Sequence, residues 1–268
     1  MPELSALFQA IQLPAMPEVA HALIRTLDDD DVHASTVRDL IAKDPALTAK
    51  LLGLANSARF GQSRKISTLD SAISLVGMAQ IRTLALSACL HNAFSVPAGL
   101  DRIVFWRASM ACAAYAQWLA GGLQVDRQTA WLTGMMLRLG GLIIDQYSPQ
   151  VLERIEQLPR EPGERWERQR DAIGFDEGRV TAELARRWNF PNAMADALER
   201  CAEPLTGAPL NQLAAILHLA GLLADSATPD ARALDKLPQP VLSALKIDID
   251  WLYRDLPDSD AFVDLSSL

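Results

Sequence analysis

An all-α fold of two packed helical lobes is what this sequence predicts, and three observations carry that expectation. Apolar residues recur at three- and four-residue spacing through successive segments. Period-2 alternation of β-branched residues, the mark of half-buried strands, runs nowhere for long. Helix punctuation recurs along the chain: an acid or hydroxyl residue followed by proline, or a closing glycine. At 268 residues, half of them hydrophobic, the chain has ample material for a core.

The first clear element opens at Leu13-Pro14-Ala15-Met16-Pro17, where a proline costs nothing because its missing N–H falls in an unpaired first turn. Val19, Leu23, Ile24 and Leu27 follow on one helical face, and the acidic run Asp28 to Asp31 reads as a solvated turn. Ser35 is the expected N-cap of a helix with Val37, Leu40 and Ile41 inward. Asp44-Pro45 caps the next, which carries Leu47, Leu51, Leu54 and Ala58 and stops at Gly61. Asn56 is expected to order a turn through its side-chain amide. Ser67 or Thr68 caps a helix ending at Gly77, and a longer one runs from Met78 through Leu90.

Val96-Pro97-Ala98-Gly99 interrupts the pattern and sets the expected division: 1–95 an N-terminal helical lobe, 96–225 a second helical lobe, and 226–268 a C-terminal helical extension, partly loose. Asp101 then caps a long helix running to Gly121-Gly122. Trp131 to Leu139 is read as one continuous helix and Val151 to Leu158 as a short amphipathic one. Arg160 to Arg170 alternates in charge, and Val180 to Trp188 is helical up to Phe190-Pro191. Ala193 to Cys201 and the apolar Leu213 to Ala224 follow, and Pro238 and Pro240 start a final segment. Trp106, Trp131 and Trp188 fall at core positions, and His218, on an apolar helix, reads as a hydrogen-bonded histidine.

Composition excludes several function classes. The longest apolar run, Leu213 to Ala224, is about 12 residues, short of the roughly 18 to 20 that a membrane span needs. Met1 to Gln12 has no basic start and carries Glu3, unlike a signal peptide. Cys89, Cys112 and Cys201 form no CxxC pair and read as buried thiols, so a cytoplasmic protein with no membrane partner is expected. The net charge of −8 disfavours indiscriminate binding to phosphate backbones. Arg59, Arg64, Lys65 and Arg82 make the stretch around them locally basic and are candidate ligand- or partner-binding residues. A helix-turn-helix reading fails there, because the helix after Thr68 offers only Asp70, Ser71 and Ser74 as its polar face. No specific DNA binding is expected.

The stretch Gly134 to Gly141, GMMLRLGG, carries the functional signal. It resembles the centre of the HD superfamily of metal-dependent phosphohydrolases, where a small residue and two aliphatics precede a metal-binding His-Asp pair. Leu137 stands at the histidine position and Arg138 at the aspartate position; the first has no lone pair, and the second repels a divalent cation. LPAMPEVAHAL, IAKDPALTAKLLGLANSARFG and ISTLDSAISLVGMAQIRTLAL, then FWRASMACA and RVTAELARRWNFP, together resemble the HDOD family, HD-related output domains of bacterial signalling proteins. The resemblance covers about residues 10 to 225. It implies a helical fold like that of the phosphohydrolases, a regulatory or interaction role, and an incomplete ligand set. The metal positions it implies fall on Ala108, Leu137, Arg138, Glu177, Cys201, Ala202 and Gly221, of which only Glu177 and Cys201 bear a donor.

No catalytic residue, no metal and no cofactor are therefore expected. The leading reading is a non-enzymatic signalling module that engages an unknown signalling protein. A degenerate sensor binding a nucleotide in the former metal pocket, with Arg138 meeting its phosphate, is the alternative, and a metal-dependent phosphohydrolase comes last. Arg138 buried in such a pocket needs a carboxylate, and Glu177 is the partner the resemblance suggests.

Overall fold

Each of the two compact units is organised by buried aliphatic stripes that match the predicted helical spacing. The computed structural model describes residues 4–29, 31–56, 66–97, 99–157, 161–226 and 231–257. All regular elements among them are helices, as the sequence predicts. They run in the order α1 (Leu4–Ala10), α2 (Glu18–Ile24), α3 (Ala34–Ala42), α4 (Pro45–Ala55), α5 (Leu69–Val76) and α6 (Met78–Ala93). Next come α7 (Arg102–Gly121), α8 (Arg127–Met136), α9 (Leu139–Tyr147), α10 (Pro149–Gln157), α11 (Glu164–Ile173) and α12 (Glu177–Arg187). The remainder are α13 (Asn192–Arg200), α14 (Gln212–Asp225), α15 (Ala231–Asp235), α16 (Gln239–Leu245) and α17 (Ile249–Asp255). No single described helix is long and apolar enough to cross a membrane.

The smaller unit comprises residues 14–95 and 188–191. Leu23, Ile24, Val37, Ile41, Leu51 and Ile81, one or two per helix, form its interior. The cap signals hold at Asp44, whose carboxylate accepts from Ala46 and Leu47 N–H, and at Thr68, which accepts from Ser71 N–H. They fail at Ser35: α3 starts two residues earlier than that cap would place it, with His33 at the cap position and no side chain capping it. Asn56 closes α4 as expected, its amide donating to the carbonyls of Leu52 and Ile66 and accepting from Ile66 N–H, each at 2.7 Å. Gly61 lies outside the described residues. Trp188 meets Phe94 edge to face at 5.8 Å.

The larger unit is formed by residues 1–13, 96–187 and 192–264. α1 therefore belongs here rather than with the first lobe, because Leu7 and Phe8 are buried and α1 packs on α9. The helices after residue 226 belong here too and form no separate extension: α16 packs on α14, and Trp251 of α17 stacks on Trp118 of α7 at 4.9 Å. Most of the expected loose end, residues 258–268, lies outside the described residues. α7, capped by Asp101 through Ile103 and Val104 N–H, lies between α8 and α14 at the centre. Trp106 and Trp131 are core residues, as expected.

The expected continuous helix from Trp131 to Leu139 is broken. α8 ends at Met136, and α9 begins at Leu139. Thr181 of α12 holds the break: its hydroxyl accepts from Gly140 N–H at 2.8 Å and lies 3.0 Å from the Leu137 carbonyl. The glycine pair has its reason here. A Cβ on Gly140 would lie 2.1 Å from the Glu177 carbonyl oxygen, and one on Gly141 would lie 3.2 Å from the Glu177 carboxylate. Only glycine lets α9 approach α12 so closely.

Gly140→Ala is expected to destabilise the protein by about 3 kcal/mol or more, the upper end of overpacking costs, because the clash is with backbone. Gly53→Ala, exposed in the last turn of α4 with nothing within 4 Å of the new methyl, is the contrasting control. It should be neutral or stabilising by up to about 1 kcal/mol. Urea unfolding of the two variants checks the pair.

Candidate functional site

Four charged side chains meet in the interior of the larger unit. Arg138 comes from the break between α8 and α9, Arg165 from the first turn of α11, Glu177 from the start of α12, and Asp225 from the end of α14. Arg165 lies between the two acids. Its Nη2 and Nε donate to Glu177 Oε1 at 2.7 and 3.0 Å, and its Nη1 donates to Asp225 Oδ1 at 2.7 Å. Arg138 Nη2 donates to the same Asp225 oxygen at 2.9 Å. The side chains of Arg165, Glu177 and Asp225 are only 2 to 3% exposed and that of Arg138 10%, so water screens the group weakly. Two guanidinium groups and two carboxylates leave no net formal charge.

The expected pairing of Arg138 with Glu177 is corrected by this arrangement. Asp225 is Arg138's carboxylate, and Glu177 is held by Arg165. The physical reason lies in α11, whose inner face supplies a second cation. Trp166, next to Arg165, donates from its indole N–H to Glu177 Oε1 at 3.3 Å, and Gln169 accepts from the Glu177 backbone N–H at 2.8 Å. Sequence reading passed over Arg165, Trp166, Gln169 and Asp225. The one available signal was the spacing of Arg165, Trp166, Gln169 and Ile173 on a single helical face, obscured because two of the four are polar.

Of the positions where the resemblance implies metal ligands, Leu137, Arg138, Glu177, Cys201 and Gly221 gather around this group. Leu137 and Gly221 pack with Trp166: a Cβ on Gly221 would lie 2.9 Å from the Trp166 ring and 3.5 Å from Leu137. An acid at position 221 would therefore collide with the indole. Cys201 is fully buried where α13 ends, its thiol beside Gly178 and pushed well above its ordinary pKa by burial, then by the charges of Asp176 and Glu177. Cys112 of α7 faces Arg138, Asp225, Arg165 and Glu177, and burial raises it to about 12. Both thiols stay protonated and unreactive at neutral pH. Ala108 is half-buried on α7, one turn ahead of Cys112. Ala202 is half-buried and lines a cleft of about 520 Å³ with Arg170, Asp176, Arg179, Arg200 and Glu203 among others. His218 of α14 is the hydrogen-bonded histidine the sequence suggests. Its Nδ1 lies 2.8 Å from the Cys201 carbonyl and so carries the proton, and its ring packs against Trp166.

The basic candidates of the smaller unit separate into two sets. Arg82 of α6 donates to the Thr26 carbonyl just past α2, tying two helices together. Arg59, Arg64 and Lys65 lie outside the described residues.

A divalent metal does not fit this group. The two carboxylates that would bind it are engaged by Arg165, Leu137 and Gly221 offer no donor, and Arg138 adds a repelling charge beside Asp225.

A family model for the HDOD domain matches residues 13–204. The chain belongs to the HDOD family. This HDOD chain is 25% identical over 245 residues to an uncharacterised protein of Treponema pallidum, covering 88% of the chain and 46% of that protein. It thus spans about half the length of the curated relative it matches. Among solved structures it is similar to an HDOD domain protein of unknown function from Geobacter sulfurreducens (TM-score 0.78, 20% identity, 94% and 92% of the two chains covered). It is also similar to a candidate phosphohydrolase from Shewanella amazonensis (0.74, 24%, 94% and 93%). A candidate signal transduction protein from Marinobacter aquaeolei aligns at 0.77 and 20% identity, over 98% of this chain and 60% of that one. At these identities the likeness establishes the helical fold alone.

Burial lowers the pKa of His218 below its ordinary 6.5, with the Cys201 carbonyl opposing the shift. Between the two values the unfolded chain binds the extra proton. The stability His218 secures is thus present above about pH 6.5 and lost as pH falls below it. The urea midpoint of the HDOD chain should accordingly drop from pH 7.5 to about 5.5, and His218→Gln should drop less. Equal slopes for the two proteins would contradict the assignment.

Proposed function

We propose that this HDOD chain is a non-enzymatic, cytoplasmic signal-transduction module of a bacterial cell, acting by binding another protein. The observation that supports this reading is the buried Arg138–Asp225–Arg165–Glu177 group, which takes in Arg138 and Glu177, two positions where the sequence resemblance expects metal ligands. Phosphodiester hydrolysis there would need a bound metal to activate water and polarise the phosphate. The available carboxylates are neutralised from within the chain, and both nearby thiols are held protonated by burial. The HDOD family match and the signal-transduction description of the Marinobacter neighbour favour a regulatory role. Partner recognition then falls to the module's surface.

The alternative, a nucleotide sensor using Arg138, is weakened by the same geometry. Arg138 already serves an interior carboxylate, and turning it to a phosphate would leave Asp225 with less cation around it.

Elemental analysis of protein purified without chelator should find iron, manganese and zinc all far below one per chain. A phosphodiesterase assay with added manganese should stay at the buffer rate. A near-unit metal content or metal-dependent turnover would contradict the non-enzymatic reading. A native partner recovered on the immobilised chain should then co-elute with it, as two purified proteins, in gel filtration; failure to form that complex would count against recognition of a protein.

A further inference from the structure

α11 is a polar helix whose buried face is fastened at one knot, with Arg170 at its edge pairing with Asp176 and Glu203. Only two of its buried side chains, Trp166 and Ile173, are apolar, while Glu167 and Asp171 face solvent. Its other buried groups, Arg165 and Gln169, bond to Glu177 and Asp225. Trp166 points its N–H at Glu177 as well. Left-handed glycines bound the helix on both sides, Gly163 at φ 86° and Gly174 at φ 88°. Glycine changes φ without the penalty a Cβ imposes, so both ends can turn while α12 and α14 keep their places. Pairs that share buried acceptors also break together, since any one left behind would hold an uncompensated charge.

The pocket α11 would vacate has a definite chemistry. Glu177 and Asp225 stand at the two sides of one guanidinium fork, the geometry that favours planar, multiply donating cations. Arg138 remains bonded to Asp225, so the vacated pocket carries a formal charge of −1. A monocation neutralises it. A divalent metal would overcharge it beside Arg138, which repels it.

We propose that Glu177 and Asp225 form a guanidinium-binding site that Arg165 fills in cis, with α11 as its hinged latch. When the latch is released, an arginine side chain of a partner segment takes the place of Arg165.

The test uses the full chain carrying Arg165→Ala, melted at constant ionic strength against methylguanidinium chloride. A saturable rise of the unfolding midpoint at millimolar concentration is expected, absent from the wild type and lost in Arg165→Ala/Glu177→Gln. The proposal is overturned if the folded variant shows no saturable rise, if Glu177→Gln leaves the rise intact, or if manganese(II) chloride raises the midpoint more. Hydrogen exchange on the wild type reads the latch independently of how well the variant folds. The α11 amides should exchange at least about tenfold faster than those of α7 and α14, through local opening. Equal protection in the three helices would show that no latch opens.

Discussion

Arg165, lying between Glu177 and Asp225, is the interaction on which the larger unit depends. It joins α11, α12 and α14 at one point, and Arg138 extends that point to the break between α8 and α9. The surrounding details come from making room for it. Gly140 and Gly141 admit the start of α12 against α9, Thr181 fixes the backbone break there, and Gly221 leaves space for the Trp166 ring. A divalent metal between two carboxylates would bring two positive charges. Two guanidinium groups bring the same total and remain covalently attached to the chain.

Such a group is costly to assemble. Moving each ion out of water costs several kcal/mol, recovered only when partners and geometry are complete. The partners here are the shared Asp225 oxygen, which takes one donor from each arginine, and the bonds from Trp166 and Arg165 that meet at Glu177 Oε1. A buried ion pair does not by itself make a protein stable; its firmer consequence is specificity. Displacing any one of these four groups leaves a charge unpaired in the interior, which favours one placement of α11 and α14 against α12.

The helical fold was legible because it rests on local chemistry. Asp44, Thr68 and Asp101 announce their helices through capping, and the aliphatic stripes of α2 to α7 follow helical spacing. The chain division was less legible at its ends, since nothing local says that Leu7 and Phe8 pack on α9. At the site, residue type alone shows that Leu137 and Gly221 offer no metal donor, but not which groups gather around them. Arg165 looks like one more charge in an alternating run, and Asp225 like the start of an aspartate-rich tail. Their burial is decided by contacts about 60 residues apart, which no local pattern encodes. The suggested Arg138–Glu177 pair failed for that reason: the right charges were identified, but the second cation and second anion were not.

The most direct measurement is a double-mutant cycle between Arg165 and Glu177 in urea, with Arg165→Met, Glu177→Gln and their combination. Each single change leaves a buried charge short of its partner and should cost about 3 to 5 kcal/mol. The double variant should recover part of that loss, a coupling above about 1 kcal/mol. Simple additivity would mean that the two side chains do not depend on each other, and that the buried group is not what holds α11, α12 and α14 together.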